Sequence, residues 1–166
     1  MLFLKDEAEI FRIGLIIGYF TKDDVINWAD RIIETNENVE YEIIEISLLS
    51  NSSKADIASK LREVKGILNE QLIINVLLGL LSYGYNSNKF SEDEICTFLY
   101  HLVSNKIDIS ISNDIEQNIN HLSDGYYLAT EGIYGDLKEI CKELNEFLDL
   151  YTEYAEEFTS KNLLLN

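Results

Sequence analysis

Not one proline interrupts the 166 residues of this chain. Proline fixes φ and removes a backbone donor, so helix interiors expel it while turn-rich β proteins collect it. A chain of this length without any is read as helix after helix joined by short turns. Hydrophobic residues at 46% and charged residues at 26% supply both a core and a solvated surface. The length suits one domain, so residues 1–166 are expected to form a single all-α domain.

Local signals place the helices. In FTKDDVINWADRI, from Phe20, Thr21 and Asp24 make a capping box with Asp in the place of Glu. Asp23 and Asp24 meet the positive helix end, and Phe20 with Val25 forms a hydrophobic staple. Trp28, the only tryptophan, falls on the apolar face with Val25 and Ile32 and is read as a core residue rather than a ligand contact. FSEDEICTFLYHL, from Phe90, follows the same grammar, with Ser91 and Glu94 as its box. A glycine-bearing apolar helix precedes each, with the longer loop, YGYNSNK, expected before the second. The chain is therefore expected to stack antiparallel helical hairpins, with a two-copy hairpin repeat suggested.

Periodicity and punctuation predict six to eight helices, beginning at 6–18 and 22–34 and continuing at 54–64, 68–82 and 92–104. Residues 40–49 are rich in β-branched side chains, but no strand partner lies nearby, so they are read as helix. Helix 68–82 is apolar nearly all round and is expected to be the most buried. Residues 105–112 alternate and are expected to be an extended loop before Asn113 caps a helix over 114–132. Gly125, Gly132 and Gly135 should weaken or kink that helix. A final helix over 136–158 should bury a seam of Leu137, Ile140, Leu144, Phe147, Tyr151, Tyr154 and Phe158.

Charge narrows the function. Thirty acids against 13 bases leave −17, which argues against a nucleic-acid backbone and against an anionic membrane surface. The field favours a basic protein partner and would speed its arrival. Residues 112–166 hold twelve acids and three bases, more than half of the net charge. On the final helix Glu139, Glu143, Glu146, Asp149, Glu153 and Glu157 lie off the apolar seam. Like charges one turn apart oppose helix formation, so these six are the candidate partner-binding residues.

Catalytic and cofactor signatures are missing from the sequence. His101 and His121 are twenty residues apart without carboxylates at ligand spacing, and no H-E-x-x-H, phosphate loop or G-x-S-x-G occurs. Cys96 and Cys141 are read as small buried hydrophobes. The expectation is therefore a non-enzyme with no metal and no cofactor. Tyr126, Tyr127 and Tyr134 with Asp124 and Glu131 could line a pocket, but packing of their rings between helices is preferred. The opening MLFLKDEAEIF lacks a basic region and its apolar run ends at Lys5, so no secretory leader is expected. With no apolar stretch long enough to span a bilayer, the expected location is cytoplasmic.

In size, charge and composition the chain resembles the small acidic immunity proteins of bacterial toxin–immunity pairs. The resemblance implies a bacterial protein that binds and inhibits a cognate toxin domain, often a basic nuclease. It assigns no residues. A helical-repeat adaptor or scaffold, using an apolar groove and having no toxin partner, is the alternative.

Overall fold

The computed structural model describes residues 1–162, and every regular element in them is helical. The elements are α1 (Leu4–Ile17), α2 (Lys22–Thr35), α3 (Tyr41–Ser47), α4 (Lys54–Glu63), α5 (Glu70–Asn86), α6 (Glu92–Ser104), α7 (Asn113–Thr130) and α8 (Leu137–Asp149). A 3₁₀ turn, Thr152–Ala155, and α9 (Glu156–Asn162) follow. The all-α expectation holds, and residues 41–47 are helix as predicted. Four details differ. The predicted last helix breaks after Asp149, which raises the count above eight. The helix α5 runs on through YGYN, so the loop before Ser91 is shorter than expected. Ser112, not Asn113, caps α7, its side chain accepting from the Ile115 N–H. Gly125 sits inside α7, whereas Gly132 and Gly135 lie beyond its end with φ of 69° and 87°.

Contacts group the chain into two compact units, one of residues 1–69 with the segment from Glu157, the other of Glu70–Glu156. In the first unit α4 packs on α1 and α3 packs on α2 and α4. Both halves of the Thr21–Asp24 box are present, at 3.1 and 2.8 Å. Trp28 is fully buried, its ring 5.0 Å from that of Phe11, which also meets Phe20 and Phe158. Contrary to expectation, α1 rather than α5 is the most buried helix, although it carries Lys5, Asp6, Glu7, Glu9 and Arg12. Most polar atoms of those side chains find partners among one another and their surroundings. Glu9 accepts from Lys5 at 3.2 Å and from Arg12 Nη2 at 2.6 Å. Glu7 accepts from Trp28 Nε1 at 3.0 Å and from Lys161 at 3.2 Å. Asp6 takes the backbone N–H groups of Phe3 and Asn69. A buried charge is tolerable only on such terms.

In the second unit the apolar α5 packs against α8 and the 3₁₀ turn, α7 against α6 and α8. A β-carbon at Gly79 would collide with the Tyr151 carbonyl oxygen and lie 2.9 Å from the Ala155 Cβ, so glycine is what lets the 3₁₀ turn seat on α5. The two predicted hairpins share one unpredicted bond. The Phe20 N–H donates to the Gly14 carbonyl, and the Phe90 N–H donates to that of Gly84, seventy residues on; both are 3.1 Å.

Candidate functional site

A cleft of about 400 Å³ opens between α6 and α7 in the second unit. The Ser91–Glu94 box fixes the start of α6, which buries Ile95, Phe98, Leu99 and Leu102. That burial turns Asp93, Cys96, Thr97 and Tyr100, one helical face, towards the cleft. On α7, Ile115, Ile119 and Leu122 go into the core, and the last two turns offer Ser123, Asp124, Tyr126, Tyr127, Thr130 and Glu131. The cleft therefore combines three aromatic rings, three carboxylates, three hydroxyl side chains of Ser or Thr, and one thiol.

Its electrostatics follow from burial. The Cys96 thiol is pushed up to about 12 by burial first and then by Cys141, Asp93 and Glu92, so it stays protonated and is a poor nucleophile. Burial likewise raises Tyr126, while its bond with Thr130 opposes the shift. The anions of the cleft are then Asp93, Asp124 and Glu131, none of which has an ion-pair partner among the described residues. Cys141, half-buried, lies in a separate recess with Glu92, Lys138 and Lys142.

The preference for packed rings at 124–135 is corrected here. Asp124, Tyr126, Tyr127 and Glu131 line the cleft, and only Tyr134 stands apart from it, 78% exposed. Tyr134 and Ile133 fold back by donating to the Leu128 carbonyl, which leaves both side chains in solvent beside the end of α7. The contribution of α6 was missed. Positions 93, 97 and 100 read as the water-facing stripe of a capped helix, and only the pairing of α6 with α7 makes them a wall.

The six acids singled out at the chain's end are spread over α8, the 3₁₀ turn and α9. Glu139, Glu143 and Glu146 lie on the solvent face of α8 at helical spacing. Glu143 is held 2.9 Å from His121 Nε2 of α7, a pairing not foreseen for that histidine. Asp149, at the end of α8, accepts long bonds of 3.5 Å from Ser82 and Asn86. Glu153 is exposed in the 3₁₀ turn. Glu157 belongs to the first unit, where it holds the Leu2 N–H at 3.0 Å and Lys161 at 3.2 Å. The seam breaks after Asp149, leaving Tyr154 substantially exposed while Leu148 and Ala155 are buried, and Leu137 at the start of α8 is exposed as well.

No family model, curated protein or solved structure matches the chain. Among the described residues no helix is long and apolar enough to cross a membrane.

Proposed function

We propose that the chain is an acidic protein-binding module that receives a basic protein on its second unit, in the manner of an immunity protein covering a toxin domain. What supports the reading most is where the charge goes. Between Glu70 and Glu156 there are 16 acids and four bases, a net −12, against 14 acids and nine bases, a net −5, for the rest of the chain. Beside those acids, Tyr100, Tyr127, Ile133 and Tyr134 are all more than half exposed. Exposed aromatic and apolar anchors ringed by charge are the make-up of a protein interface.

The test uses the product of the neighbouring gene, where a toxin would be encoded. Its association with this chain should be fast at low salt and should slow steeply as ionic strength rises. Converting Glu139, Glu143 and Glu146 to lysine should lower the on-rate by roughly tenfold or more, and cells carrying that variant should lose protection. Binding whose rate ignores both salt and those substitutions would overturn the reading.

A further inference from the structure

We propose that the α6–α7 cleft holds the guanidinium of an arginine side chain presented by the basic partner, an inference that rests on the reading of the second unit as a partner-binding surface. The volume, about 400 Å³, lies in the range of enclosed ligand sites. Lys, Arg and His are absent from the lining, which instead offers Asp93, Asp124 and Glu131. An anion would meet three carboxylates and no counter-charge. A wholly apolar group would leave the three exposed carboxylates without a counter-charge.

The spread of the carboxylates further selects among cations. Among the described residues no group of three or more His, Cys, Asp or Glu side chains is arranged to hold a metal ion. Three acids that share one cleft without converging on a point suit an extended, delocalised cation. Guanidinium is such a group. Its planar fork takes carboxylates in pairs, and its weakly hydrated face stacks on aromatic rings, which ammonium does less well. Tyr100, Tyr126 and Tyr127 supply the rings. Burial keeps the Tyr126 phenol and the Cys96 thiol protonated, so neither adds charge to the cleft.

The experiment is a titration of the full chain, labelled with ¹⁵N, by the capped tripeptide Gly-Arg-Gly. Parallel titrations use Gly-Lys-Gly and the neutral isostere Gly-citrulline-Gly. The arginine peptide should give saturable shifts confined to residues 93–100 and 123–131. The lysine peptide should bind roughly fivefold more weakly, and the citrulline peptide should give no saturable shift. Asp124→Asn and Tyr127→Ala, both at exposed positions, should weaken the arginine peptide several-fold while leaving the rest of the spectrum unchanged. Saturable shifts that citrulline reproduces, or that fall on α8 and spare the cleft, would overturn the proposal. An arginine peptide that leaves the cleft untouched, while the neighbouring gene's product still binds with a salt-dependent on-rate, removes the pocket and leaves the partner-binding reading standing. The reverse pattern, peptide bound and product not, removes the partner.

Discussion

The start of α2 and the start of α6 are closed by the same devices. A phenylalanine N–H reaches back six residues to a glycine carbonyl, and a hydroxyl–carboxylate box follows at once. The helices before them differ. In α1, five charged side chains are buried, and the three acids among them, Asp6, Glu7 and Glu9, contribute to the interior of the first unit. In α5 the buried side chains are almost all apolar, with Ser82 the polar exception. The second unit needs no acid for its core, and its acids are displayed along α6, α7 and α8. A carboxylate thus has two physical meanings in this chain. Where a carboxylate has a buried donor it is part of the fold; where it has water and an exposed tyrosine beside it, it is available to a partner.

Breaking a carboxylate in each unit tests that contrast. Glu9→Ala would leave Arg12 and Lys5 buried without their shared carboxylate, and urea unfolding followed by far-UV dichroism should show a loss of about 3–5 kcal/mol. The same change at Glu146 should stay within about 0.5 kcal/mol. Equal effects at the two positions would erase the distinction. Trp28→Phe removes the donor that Glu7 accepts from and trims a fully buried ring, so a loss of about 2–4 kcal/mol is expected in the same assay.

Smaller effects sharpen the likeness of the two helix starts. Thr21→Ala and Ser91→Ala should each cost about 1 kcal/mol, because each side chain caps one backbone N–H at the head of its helix. A cost at one position and none at the other would show that the shared geometry is not shared energy. Acid titration separates the units again. The Leu2 N–H, followed by Lys161 and the terminal amine, lowers the Glu157 carboxyl below its usual value, against the effect of burial. A depressed carboxyl stabilises the fold above the unfolded pKa and loses that contribution as pH falls through the folded value. Stability should therefore drop on acidification below about pH 5, and Glu157→Gln should show a shallower drop. The smallest effect belongs to the triple lysine variant on α8, which should lose a few tenths of a kcal/mol in the free protein, because lysines at 139, 143 and 146 crowd Lys142 and part Glu143 from His121.

What was legible in the sequence was local. Caps at Thr21 and Ser91 and the apolar spacing around Trp28 depend on residues within two turns of one another, and the structure contains all of them. What was not legible depends on distant pairing. Hydropathy reads Lys5, Asp6, Glu7, Glu9 and Arg12 as surface: Lys5, Glu9 and Arg12 pair within one turn as solvated charges also do, and the distant partners of Glu7 and Asp6, among them Trp28, Lys161 and Asn69, do not show in spacing. The break after Asp149 was hidden for a related reason. Residues 136–158 keep helical spacing throughout, and only the approach of Tyr151 and Ala155 to Gly79 of α5 accompanies the tighter 3₁₀ turn there. The tyrosine-lined cleft was half visible: Asp124, Tyr126, Tyr127 and Glu131 stood out, while Asp93 and Tyr100 could join them only once α6 lay beside α7.

Peptide-level hydrogen exchange of the chain, alone and with the neighbouring gene's product, is the most direct test that the displayed acids of the second unit, and not the matched acids of the first, meet a partner. The account predicts slowed exchange over residues 93–100 and 123–146 and no change over 1–69. Protection confined to residues 1–69, with the second unit exchanging as in the free protein, would contradict it.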